Sequence, residues 1–145
     1  MEKHQEFELD RYPSSEAAIA AIDAPASGDT PASGVAHRVA CISPAGSLVI
    51  SFPRPKANLT AGTVQDFLDP FLKSRPGASI DYIHGRESLL ALASKKGNLG
   101  LYLPPIDKSL FFATVIRDGV MPRKTFSMGE APEKRFYIEA RRITR

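Results

Sequence analysis

The sequence has a single cysteine, Cys41, which excludes an internal disulfide and any zinc cluster built on cysteine. Its surroundings, "HRVACIS", read as a strand in which a buried thiol behaves as a small hydrophobe; a catalytic thiol would need an activating base beside it. Long apolar runs are also missing, and none approaches the roughly 20 residues that span a bilayer. The opening "MEKHQEFELDRY" mixes acids with bases and has no apolar stretch of the secretory kind. These absences make a cytoplasmic protein the expectation, with no membrane partner. The paired glycines and lysine of a phosphate loop are missing too. No cofactor is implied and no metal site is expected.

What is present is an ordinary globular composition, 43% hydrophobic and 24% charged, over 145 residues. A chain of that length buries a sizeable core as one domain, so a single domain over 1–145 is expected. The net charge of +3 is uneven, because from Met121 onward seven bases face only three acids. A basic end suits an anion or a nucleic acid, and equally a solvated face. No reader motif or stacking platform accompanies it, which makes nucleic-acid binding the minor alternative.

Periodicity supplies the elements. "FELDRY" alternates as an edge strand, and "SSEAAIAAIDA" follows as a short helix with Ser14 or Ser15 to cap it and Ile19 and Ile22 inward. Residues 24–34, "APASGDTPASG", lack large apolar groups and read as a flexible loop. "GVAHRVACIS" and "SLVISFP", joined by "PAG", form a hairpin. Val35, His37, Val39 and Cys41 share one face, which makes His37 a hydrogen-bonded core histidine rather than a ligand. Arg38 assigns the opposite face, with Ala40 and Ile42, to solvent. In "LTAGTVQDFLDPFLKSRPG", Val64, Phe67, Leu68, Phe71 and Leu72 fall at helical spacing, with Thr63 as N-cap and Pro70 kinking or dividing the helix.

"ASIDYIHG" then reads as a buried strand, "RESLLALASKKGN" as a helix burying Leu89, Leu92 and Ala93, and "LGLYLPP" as another strand. "PPIDKSLFFATVIRDG" is a helix stopping at Gly119, and "KRFYIEARRI" a final strand. Strand and helix alternate from Ala78 to Gly119, which implies local parallel pairing. The expected class is therefore α+β, one domain with a mixed sheet and helices mainly on one face.

Two stretches could carry chemistry. Asp81 and His84 in "DYIHG" invite a carboxylate–histidine reading, although residues three apart on a regular strand face opposite ways and meet only if the strand ends before His84. The alternative is that His84 and Gly85 form the turn at the strand's carboxyl end, a position beyond which ligands of open α/β sheets collect. Arg86 and Glu87 follow at a helix start, as cap and solvated surface or as an anion-holding terminus. The second stretch is "MPRKTFSMG". Its Ser127 with Glu130 matches a capping box, but Pro132 excludes a long helix. As extended chain, Arg123, Thr125 and Ser127 share one side and Lys124, Phe126 and Met128 the other. A guanidinium fork between two hydroxyls suits phosphate or carboxylate, and a structural connector fits the same residues.

In order, "DYIHG", "GLYLPP" and "MPRKTFSMGEAPEKRFYIEARRI" resemble the carboxyl-terminal part of the uncharacterised bacterial family known as domain of unknown function 1015, over about Phe52 to Arg145. Members of that family are longer and carry an Asp-Gly-His-His-Arg motif, similar to that of ParB-like and free-serine-kinase-like proteins, which this sequence lacks. The resemblance implies the carboxyl-terminal domain of a longer protein, inactive on its own. It also implies a link to serine or phosphate metabolism for the whole.

Two functions follow as expectations. One is an accessory domain binding a phosphorylated or carboxylated small ligand through Arg123, Lys124, Thr125 and Ser127, with Asp81, His84 and Gly85 as the second block. The other is a structural or interaction domain, docking onto the missing amino-terminal part or onto a symmetric partner, with exposed apolar surface around Phe112 or Phe126.

Overall fold

The computed structural model describes residues 6–24 and 36–106, with 112, 115, 116 and 119. The chain order is β1 (Glu8–Tyr12), α1 (Ser15–Asp23), β2 (His37–Ser43), β3 (Gly46–Phe52), α2 (Thr60–Ser74), α3 (Arg86–Ala93) and β4 (Gly100–Tyr102). Among the described residues this is an α+β architecture: one four-stranded sheet in the order β1-β3-β2-β4 with the three helices α1, α2 and α3. The 24–34 loop, from Pro25 on, and the final strand lie outside the described residues, as does "MPRKTFSMG".

The hairpin forms because two β-rich runs flank a tight connection at Pro44 and Ala45. Gly46 takes the positive φ, 137°, that a residue with a Cβ resists. The register pairs Ala40 with Val49 and Cys41 with Leu48, so each face of β2 continues across β3. β1 adds antiparallel to β3, and β4 adds antiparallel to β2.

α1 starts where Ser14 accepts the Ala17 amide at 3.1 Å, satisfying one of the donors that a helix start leaves unpaired. Its Ala18 and Ile22 pack on Ala40 and Val49. Ile19 meets Ile42 and the Ala93 of α3. Ile19, Val39 and Val49 are the largest fully buried side chains, and covering each contributes about 1.5–3 kcal/mol.

The Arg38 face is therefore covered as well, a correction to its assignment to solvent. Arg38 Nη1 donates to the Ala21 carbonyl at 2.8 Å. An arginine can lie on an apolar face when its stem packs and its head meets a carbonyl at the end of a helix.

The parallel pairing expected between Ala78 and Gly119 is also corrected. Residues 78–84 pair with none of the described strands, and β4 runs antiparallel to β2. The four described strands thus make an antiparallel sheet rather than a mixed one. The segment lacks the buried alternation a central strand needs: Ile80, Asp81, Tyr82 and His84 are exposed and Ile83 half-buried.

Two of the three helices, α1 and α3, share the Ala40 face, and α2 meets the other face at His37.

Candidate functional site

α2 is the element whose chemistry the fold leaves unused. Its first turn is anchored: Leu59, the N-cap, is 7% exposed and Thr63 only 2%. Thr63 Oγ1 lies 2.8 Å from His37 Nδ1, and the His37 ring also bonds the Asn58 backbone. Burial is the main influence on His37 and lowers its pKa, against which the Asn58 bond acts. Thr63 is accordingly not the N-cap expected of it. The helix begins at Thr60, and the hydroxyl serves the imidazole instead.

Pro70 lies inside α2 without dividing it. Val64, Leu68 and Leu72 are half-buried. Phe67 and Phe71, one turn apart, are 66% and 41% exposed. Their rings stack with centroids 5.9 Å apart, and the Arg75 guanidinium lies 5.9 Å from the centre of the Phe71 ring. Phe71 and Arg75 also wall one side of a shallow, open groove of about 450 Å³, completed by Pro76, Gly77, Ala78 and Gly97.

The polar side of α2 is held separately. Gln65 bonds Asp69 one turn on and accepts the Tyr82 hydroxyl at 3.1 Å, which fastens the 78–84 segment to the helix. Asp66 and Lys73 are exposed. Ser74 Oγ closes the helix end on the Phe71 carbonyl at 2.8 Å.

The sequence-derived site residues divide in two. Arg123, Lys124, Thr125 and Ser127 lie outside the described residues. Asp81, His84 and Gly85 sit in the exposed connection between α2 and α3. Asp81 Oδ1 accepts the Tyr82 amide at 2.9 Å, and Gly85, φ 93°, is the N-cap of α3 without a side-chain cap. Arg86, the first residue of α3, reaches Asp23 at 3.9 Å, an exposed pair of small energetic weight.

Among the described residues no group of His, Cys, Asp and Glu side chains could hold a metal ion, and no helix is long and apolar enough to cross a membrane. Burial pushes the Cys41 thiol up, away from the thiolate that nucleophilic chemistry requires.

Sequence reasoning found the α2 stripe by its helical spacing. Helical periodicity marks an apolar face without saying what covers it. Phe112, on the helix expected after β4, is 75% exposed, with Ile116 at 84% one turn on. No family model, no curated protein and no solved structure matches the chain.

Proposed function

We propose that this chain is a non-catalytic interaction module that docks through the aromatic stripe of α2 onto a complementary apolar helical surface, the role expected of an accessory domain of a longer protein. The observation that carries this reading is the exposed, stacked Phe67–Phe71 pair on a helix whose first turn is anchored through Thr63 and His37. Burying a phenylalanine side chain contributes about 1.5–3 kcal/mol, so a partner that covers both rings gains substantially. Stacking holds them side by side before any partner arrives, which lowers the ordering cost of binding. The 78–84 segment, tied to Gln65 through Tyr82, holds the polar side of the helix in place.

Hydroxyl-radical footprinting of the full chain in dilute solution tests the reading. Phe67 and Phe71 are expected to oxidise as open rings. Rings protected at every dilution would show that the stripe is already covered within one molecule, and the proposal would fall.

A further inference from the structure

The contact that seats α2 on the sheet is built around a titratable ring. We propose that it is a proton-operated latch: protonation of the His37 ring releases the first turn of α2 from β2 and opens the helix locally, while the sheet with α1 and α3 stays closed. The device belongs to the fold and stands whether or not the aromatic stripe meets a partner.

Three observations carry it. First, the ring is buried with partners that cannot neutralise a charge. His37 is 7% exposed, and it meets the Thr63 hydroxyl at 2.8 Å and the Asn58 backbone. An imidazolium held there is a buried cation without a counter-ion, which costs far more than the same ion in water. Burial accordingly outweighs the Asn58 bond and lowers the ring's pKa from 6.5.

Second, among the described residues no element packed on the ring supplies a compensating carboxylate. β3, which sets Phe52 opposite His37, has no charged residue. On β2 itself, Arg38 lies on the opposite face and donates to the Ala21 carbonyl. The Cys41 thiol, on the ring's own face, is pushed up by burial and stays neutral in acid. On α2, Asp66 and Lys73 are exposed and Asp69 is bonded to Gln65. Arg54 and Lys56, in the connection before α2, are exposed as well, Arg54 against Glu6.

Third, the buried clusters lie apart from the latch. One joins Ala18, Ile22, Ala40 and Val49, the other Ile19, Ile42 and Ala93, and neither includes His37 or a residue of α2. Undocking α2 therefore leaves both intact. The half-buried Val64, Leu68 and Leu72 do not titrate; they set how often α2 opens in neutral solution, and His37 sets how that changes with acid. Once undocked, a fifteen-residue helix with Pro70 inside it is marginal in water and exposes its amides.

The closed ring resists a proton that the open ring takes up near pH 6.5. The open population thus grows by up to about tenfold for each pH unit below that value, until the closed ring is itself protonated.

Native-state hydrogen exchange of the full chain, followed amide by amide in low urea at pH 7.5 and pH 5, tests the latch. The α2 amides should exchange through an opening lower in free energy than that of β2 and β3 at both pH values. That opening should depend only weakly on urea, the mark of a local event that exposes little surface. Their protection, corrected for the pH dependence of exchange in an unfolded chain, should fall by at least about threefold from pH 7.5 to pH 5. His37→Gln should abolish that fall. The wild-type His37 ring, followed by NMR, should titrate below 6.5.

α2 amides that exchange with the free energy and urea dependence of the sheet would reveal one cooperative unit and overturn the latch. So would α2 protection unchanged by pH, a fall that persists in a folded His37→Gln chain, or a His37 ring that titrates at or above 6.5. If His37→Gln does not fold, wild-type exchange and the ring titration decide the matter without it.

Discussion

At the scale of single residues, His37 shows how much chemistry one alternation pattern reveals. It lies on the Val39 and Cys41 face of β2, and that placement alone marks it as a core histidine needing a partner. What the pattern could not show is which hydroxyl supplies the bond, because Thr63 lies 26 residues away on another element. Burial lowers the His37 pKa below its ordinary value of 6.5, so the unfolded chain takes up a proton that the folded chain resists. Stability from this site is fully present above about pH 6.5 and is lost as the pH falls from there toward the lower folded value. Urea unfolding between pH 7.5 and pH 5 should show that decline, and His37→Gln should flatten it; a wild-type curve as flat as the variant's would remove His37 from the account. Thr63→Val should cost about 1–3 kcal/mol at pH 7.5 by leaving the ring nitrogen unpaired.

At the scale of elements, local signals were legible where sequence neighbours decide the outcome. Ser14 capping α1, the Pro44–Ala45 turn and the helical spacing of α2 each follow from residues within a few positions of one another. The failures arose where a distant element decides. Arg38 looked like a solvent marker because nothing nearby revealed the α1 carbonyl that it meets. "ASIDYIHG" looked like a buried strand because its composition suits one, although none of the described strands takes it. The α2 stripe has the same periodicity whether it covers a core or awaits another chain.

β4 offers a sharper test of element packing, since it passes α3 at Gly100. A Cβ there would sit 2.8 Å from Ala93 Cβ and 3.2 Å from Leu89 Cδ1. Leu89 can rotate away, but Ala93 Cβ is fixed to the helix backbone, so α3 or β4 must shift. Gly100→Ala should destabilise by about 1–3 kcal/mol. Adding Ala93→Gly should recover part of that loss despite its own helix cost of about 1 kcal/mol. Losses that simply add would show that the two positions do not crowd one another.

At the scale of the whole molecule, the antiparallel order β1-β3-β2-β4 was not legible, because it depends on β4 returning to β2 from 60 positions along the chain. Tyr102 makes that return cooperative. Its ring packs against both buried clusters, the one formed by Ala18, Ile22, Ala40 and Val49 and the one formed by Ile19, Ile42 and Ala93. Its hydroxyl donates to Asp23 Oδ1 at 2.8 Å, joining β4 to the end of α1. Burial, then the Asp23 bond and charge, raise the Tyr102 pKa above the usual phenol value. The folded chain thus keeps a proton that the unfolded chain releases first. This contribution is fully present below about pH 10 and is lost as the pH rises through the folded value. Tyr102→Phe should keep the packing, lose at most about 1 kcal/mol at neutral pH and blunt the alkaline loss. Tyr102→Ala removes the ring from both clusters and should cost about 2–4 kcal/mol. If the ring is what makes the clusters one unit, wild type and Tyr102→Phe unfold in a single transition by circular dichroism and by fluorescence of the remaining tyrosines. Tyr102→Ala then separates the two probes, with α3 and β4 released before the β1-β3-β2 sheet and α1. Coincident probes in Tyr102→Ala would mean that the contact of Ile19 with Ile42 and Ala93 holds the molecule together without it.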